Sequence, residues 1–254
     1  MVRLRRIKEF KNHYSEYIDE VIHTGDALYD RWSDSFDFWS DGGAEGFLNL
    51  LGNHDVNFVD SLNNEMVVTK KDVYNRFVDP FVDGWNVKQP ADASSDGLMY
   101  YYKDVDKGSG LEQAKVRIIM LDEYHWDEGQ ATWFKDVLDD ALKNDFAVVV
   151  CRHESFILNQ FEHNAFASME RHGSTNDLSA AQEAVDTFIS QGGEFVIWLG
   201  GHEHQDKIGV QVDYPNQLEF HGEIAGLLSS QWADSWREHG TISQDCFTLI
   251  SIDR

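Results

Sequence analysis

The chain has 254 residues, 42% hydrophobic and 26% charged with only 3 prolines, which is the composition of a folded globular protein and excludes a repetitive or disordered one. Its 45 acidic residues against 21 basic ones give a formal net charge of -24, a field that repels polyanions, argues against generic nucleic-acid binding and favours divalent cations. Two cysteines, Cys151 and Cys246, cannot build a disulfide framework, and no apolar run reaches the roughly 20 residues needed to cross a bilayer.

Leu4, Ile7, Phe10, Tyr14 and Ile18 recur at helical spacing, so the chain is expected to open with a helix packed on a sheet, basic and amphipathic over Met1 to Lys11. That opening lacks the apolar core of an export signal, so a complete chain would be soluble and cytoplasmic. Glu20 to Thr24 then turns extended. Phe47 to Leu51, Ala147 to Cys151 and Phe195 to Leu199 are short and mostly apolar, the pattern of central strands buried on both faces. Two amphipathic helices lie among them, one carrying Ala131, Phe134, Leu138, Ala141 and Leu142. The other carries Leu178, Ala181, Val185, Phe188 and Ile189, and Gly192 and Gly193 stop it. Alternating strands and helices predict an α/β core.

Residues 56–110 interrupt this rhythm as an elaboration beside the core, with a helix around Lys71 to Val78, a loop through Pro90 and Gly97, and an aromatic strand Met99 to Tyr102. In the run Tyr100, Tyr101 and Tyr102, alternate rings are expected to bury. Tyr100 to Val105 and Lys115 to Leu121 are expected to pair as a hairpin whose second strand joins the core. Ile208 to Val212, Leu218 to Ile224 and Phe247 to Ile252 suggest further strands. No linker marks a boundary, so residues 1–254 read as one domain.

The residues just after each central strand are chemically distinctive. Glu20 to Thr24 leads into Gly25-Asp26, Phe47 to Leu51 into Gly52-Asn53-His54-Asp55, Ala147 to Cys151 into Arg152-His153, and Phe195 to Leu199 into Gly200-Gly201-His202-Glu203-His204. Each strand therefore ends in potential metal ligands, and in α/β sheets the site lies outside the carboxyl ends of the strands. Gly25, Gly52 and Gly201 permit the sharp turns that bring short side chains close to an ion. Chance polar residues at a strand end would have to recur four times to give this arrangement.

These blocks resemble the calcineurin-like metallophosphoesterase family, whose signature runs Asp-x-His, Gly-Asp-x-x-Asp, Gly-Asn-His-Asp or Glu, a later His, and Gly-His-x-His. Gly25-Asp26, Gly52 to Asp55, His153 and Gly201 to His204 match the last four in order, and Leu121-Asp122, Gly129-Gln130 and Trp133-Phe134 resemble the family's intervening strand and helix. The resemblance implies a two-sheet α/β/β/α sandwich of the metallo-dependent phosphatase type. It makes Asp26 the carboxylate bridging two metals, with Asn53, His153 and His202 on one and His204 on the other. Mixed oxygen and nitrogen donors suit manganese, iron, zinc or nickel better than calcium. Hydrolysis of a phosphomonoester or phosphodiester by metal-activated hydroxide is implied, with His54 protonating the leaving oxygen and Asp55 orienting that imidazole. The expected partner is a small phosphoester substrate, with no generic nucleic acid and no membrane.

Two departures from the family pattern bear on activity. Tyr29 stands where the second block has its later Asp, and Asp30 follows one residue on. No Asp-x-His precedes Gly25, since the chain begins in what corresponds to the helix after that block's strand. Either the true start lies upstream, with any export signal there, or one metal is held firmly and the other poorly. The rival reading is an impaired or inactive member acting as a binding scaffold, and a second rival is a nuclease of the same family, which the acidic surface disfavours. His13, His23, His125, His163, His172, His221 and His239 match no block and carry no assigned role. Asp122, Glu123 and His125 lie after a strand and could approach the crevice. Tyr29, Trp32, Phe36, Phe38 and Trp39 are expected to pack as an irregular connection against the core.

Overall fold

The structure, a computed structural model, describes residues 2–25, 47–52, 55, 70–80, 82–108, 113–154, 156, 178–202, 207–222 and 248–252. Helix α1 (Val2–His13) leads to strand β1 (Val21–His23), which pairs in parallel with β2 (Phe47–Asn49). Helices α2 (Lys70–Phe77), α3 (Val82–Trp85) and α4 (Ala93–Asp96) precede β3 (Tyr101–Lys107) and β4 (Ala114–Met120), which form the expected antiparallel hairpin. A 3₁₀ turn (Glu123–His125) and α5 (Glu128–Lys143) connect to β5 (Ala147–Cys151). Helix α6 (Ser179–Ser190), β6 (Phe195–Gly200), β7 (Lys207–Gln211) and β8 (Tyr214–His221) complete the order.

The second sheet has six strands in the order β3-β4-β5-β6-β8-β7, with β4, β5, β6 and β8 mutually parallel. Its central strands are covered on both sides, which is why they read as unbroken apolar runs. Ile119, Val148, Val150 and Trp198 face one way, into a cluster with Phe134 and Leu138 of α5 and Val185 and Phe188 of α6. Ile118, Met120, Val149, Cys151 and Leu199 face the other way, into a cluster with Leu48, Leu50, Trp85 and Tyr101. The α/β fold with two sheets is thus present, and the sheet-to-sheet layer seats β2 beneath the larger sheet.

Local chemistry fixes the element ends. The Asp127 carboxylate accepts from the Gln130 N–H at 2.8 Å to cap α5. Helix α6 ends at Ser190, and just past its cap Gly192 takes a φ of +95° that suits a glycine. The sequence pattern carried the first helix through Ile18, yet α1 ends at His13, where two backbone bonds to the Tyr14 carbonyl close a turn. The side chains of Leu4 and Ile7 lie outside the described residues. The strand expected over Phe47 to Leu51 is shorter, ending at Asn49.

Residues 248–252 form no strand, contrary to the pattern of Phe247 to Ile252; both ladder sides of β8 are taken by β6 and β7, and Leu249 stays exposed. Residues 29–39, with the aromatic cluster, lie outside the described residues. Among the tyrosines, Tyr100 and Tyr102 turn toward Trp133 of α5 while Tyr101 stacks on Trp85. Both faces of this strand are covered, so Tyr100 and Tyr101 are both buried although they point in opposite directions.

Tyr101 also terminates the small sheet. Leu50 N–H donates to the His23 carbonyl at 3.2 Å, so Asn49, the alternate residue, turns its own backbone groups to the open edge of β2. There the Tyr101 hydroxyl accepts from the Asn49 N–H at 2.8 Å and donates to the Asn49 carbonyl at 2.6 Å. One phenol takes the place of a neighbouring strand.

Tyr101→Phe should therefore leave two buried backbone groups unpaired and lower unfolding free energy by about 3 kcal/mol in urea denaturation. Burial holds the Tyr101 phenol well above its ordinary value, against the opposing backbone bond from Asn49, and burial with nearby Asp127 pushes Tyr100 up to about 12. A phenol that ionises earlier in the unfolded chain confers stability in full below about pH 10, and that stability is lost as pH climbs toward the folded value. Urea midpoints should accordingly fall between about pH 9 and pH 11, and fall less steeply in Tyr101→Phe; parallel profiles would contradict this.

Candidate metal centre

The carboxyl ends of β1, β2, β5, β6 and β8 meet at one place, and two glycines record how closely. A Cβ on Gly25 would stand 2.5 Å from His153 Nδ1 and 2.7 Å from the Gly52 nitrogen, closer than real atoms approach, and Gly25 has φ +99°. A Cβ on Gly201 would stand 2.7 Å from Thr24 Oγ1. The loops after β1, β2, β5 and β6 are therefore in van der Waals contact, and only hydrogen-bearing Cα atoms fit between them. Beside them the side chains of His23 and Asn49, facing each other across the β1-β2 ladder, are joined at 2.8 Å.

His153 is buried, and its Nδ1 lies 2.6 Å from the Thr24 carbonyl. A carbonyl can only accept, so Nδ1 holds the proton and Nε2 of the neutral ring presents its lone pair. His202 Nδ1 lies 3.2 Å from that Nε2, the two rings meeting edge to face. His202 sits at φ +64°, a conformation that costs a residue with a side chain about 1–2 kcal/mol and so must be held by its surroundings.

His153 is bracketed from below. The buried Glu123 carboxylate accepts from Arg152 Nε at 2.9 Å with one oxygen and from the Glu154 N–H at 2.8 Å with the other, gripping the residues on either side of the histidine. Arg152 stacks its guanidinium 3.7 Å from the Phe156 ring centre, and the Tyr124 hydroxyl donates to Glu154 Oε1 at 3.1 Å. Glu123 thus reaches this crevice as a support for its wall. Asp122 instead pairs with His125 at 2.9 Å. Asp55 is buried and closes its own turn, accepting from the Gly52 N–H at 2.9 Å while its N–H donates to the Gly52 carbonyl at 3.0 Å.

Of the residues expected to hold metal, the structure brings together His153 and His202. Asp26, Asn53 and His204, and with them His54, lie outside the described residues, as do His163, His172 and His239. Among the described residues no group of three or more His, Cys, Asp or Glu side chains could hold a metal ion. The two imidazoles that are described fit one: nitrogens bound about 2.1 Å from a common ion lie roughly 3 to 3.5 Å apart, and ligating histidines commonly donate their other N–H to a backbone carbonyl as His153 does to Thr24. The motif reading gave no role to Thr24 or to the His221–Glu219 pair, and it gave Glu123 no more than an approach to the crevice. His221 was the findable one, since it closes a strand and precedes Gly222 as the matched ligands close theirs.

A family model described as calcineurin-like phosphoesterase matches residues 3–206. No curated protein matches the chain. Among solved structures, a dimetal phosphatase from Danio rerio is similar at 13% identity and a TM-score of 0.54, over 87% of this chain and 76% of that one. GAP50, described as the anchor in the inner membrane complex of Plasmodium, is similar at 10% identity and a TM-score of 0.43, over 86% of this chain and 65% of that one. The Danio rerio likeness is one of fold, and it matches the two-sheet α/β architecture described above. With its strand-end motifs in family order and four-fifths of its length matched, the chain belongs to the calcineurin-like phosphoesterase family.

Proposed function

We propose that this chain hydrolyses a small phosphomonoester or phosphodiester at a metal centre built on the loops after β1, β2, β5 and β6. Family membership supports phosphoester hydrolysis in general and implies divalent metal ions. The observation that carries the reading is the meeting of His153 Nε2 and His202 Nδ1 at 3.2 Å, beside a Gly25 packed too tightly on His153 and Gly52 to carry a side chain. Divalent ions of the manganese, iron, zinc or nickel kind, when bound, supply the charge that activates water and neutralises phosphoryl oxygens.

The protein's own groups have separate tasks in this reading. His153 keeps its proton on Nδ1, facing Thr24, and so offers Nε2 as a donor without a change of tautomer. His202, Asn53 and Asp26 would complete that donor set, and Asp26 and His204 would serve a second ion. His54 donates a proton to the leaving oxygen, and Asp55, anchored in the Gly52 turn, fixes the loop that presents it. The surface charge of -24 supports a small substrate drawn to a locally cationic centre over a nucleic acid.

Manganese-loaded protein should hydrolyse bis-p-nitrophenyl phosphate or p-nitrophenyl phosphate, lose that activity on chelation and recover it on adding manganese back. His54→Ala should lower kcat by about a hundredfold or more, with manganese stoichiometry unchanged. Absence of turnover in protein that demonstrably holds manganese would replace the enzyme with a metal-binding scaffold.

A further inference from the structure

The ladder between β6 and β8 carries a buried pair that no motif explains. His221 closes β8 opposite Gly200, and its ring fills the space a side chain at Gly200 would need. Neither His221 nor Glu219 has more than 2% of its surface exposed. His221 Nδ1 donates to the Gly201 carbonyl at 2.7 Å, and its Nε2 lies 2.6 Å from Glu219 Oε1. The same Glu219 oxygen accepts from the Phe156 N–H at 2.9 Å. From the opposite side, the Gly201 N–H donates to the His153 carbonyl at 3.0 Å.

The peptide joining Gly201 to His202 is thus gripped at its oxygen, and the rotation of that peptide sets the φ of His202. Left to itself, a histidine relaxes to negative φ, which would swing the imidazole away from His153. Glu219 ties this clamp to the segment just beyond His153, so one carboxylate braces both histidine-bearing loops.

We propose that His221 and Glu219 are positioning residues for the metal centre: they lock the Gly201–His202 peptide so that His202 keeps the left-handed conformation that aims Nδ1 at His153 Nε2. The inference rests on the metal-centre reading above. Outer partners of this kind typically change metal affinity by about 10- to 100-fold when removed.

The test uses cobalt(II), titrated into metal-free full-length chain and followed by its visible ligand-field absorption, on wild type, His221→Leu and His221→Asn. The asparagine amide can donate from nearly the same place as Nδ1, whereas leucine cannot. His221→Leu should weaken cobalt binding about tenfold or more and shift the absorption band; His221→Asn should bind within about threefold of wild type with the wild-type band. Both variants lose the Glu219 contact, so their metal-free melting temperatures should fall alike. Folded His221→Leu with wild-type affinity and spectrum would overturn the proposal, as would Asn behaving no better than Leu. Should His221→Leu not fold, Glu219→Gln takes its place, with affinity expected to fall at least about threefold and an unchanged titration overturning the proposal. Wild-type protein that binds no cobalt would overturn the metal-centre reading and this inference together, whereas wild-type binding beside an unaffected His221→Leu would overturn the inference alone.

Discussion

The contact between Gly25, Gly52 and His153 governs the rest of the site. The loops after the two strands of the small sheet touch backbone to backbone at Gly25 and Gly52, the His153 ring from the larger sheet closes on Gly25, and a single methyl group at Gly25 would part them. Only a rigid base can hold loops so close. The base here is the double-sided burial of β4, β5 and β6, whose side chains interlock with α5 and α6 on one face and with β2 and its neighbours on the other. Stability and site geometry are therefore one problem in this fold: a shift between sheets would first be felt where the loops meet.

Around that contact, the polar groups are arranged to fix orientation. The buried Glu123 carboxylate accepts from two donors on either side of His153, and the buried Glu219 carboxylate accepts from the Phe156 N–H just beyond His153 while it meets the His221 ring. Buried charges of this kind persist only with their partners in place, since an unpaired one costs several kcal/mol. The same logic explains Tyr101, a buried phenol that completes the backbone pairing of Asn49 three residues before Gly52. Each device acts on the backbone beside a site residue and leaves the site residue's own polar atoms for the crevice.

The sequence displayed the strands and the ligand blocks because both come from local rules. Runs such as Ala147 to Cys151 must be apolar on every residue when both faces are covered, and a chain that turns tightly around an ion must alternate glycine with short polar donors. It did not display the supports. Glu219 and His221 look like ordinary polar residues until pairing brings β8 beside β6, and Glu123, placed near the crevice by its position after a strand, shows its grip on Arg152 and Glu154 only in the fold. His221 stood in the strand YPNQLEFH, whose polar residues pack against α6 and Trp198, so no apolar run announced a central strand ending in a ligand-like residue. The last expected strand failed for a related reason, since neither side of β8 was left open to receive it.

The central claim is that His153 and His202 serve a common ion. Crystals soaked in manganese and measured by anomalous diffraction test it most directly. The account predicts an anomalous peak in bonding contact, about 2 to 2.4 Å, with both His153 Nε2 and His202 Nδ1. A peak that touches neither nitrogen, or rings turned apart with the metal bound elsewhere, would contradict it.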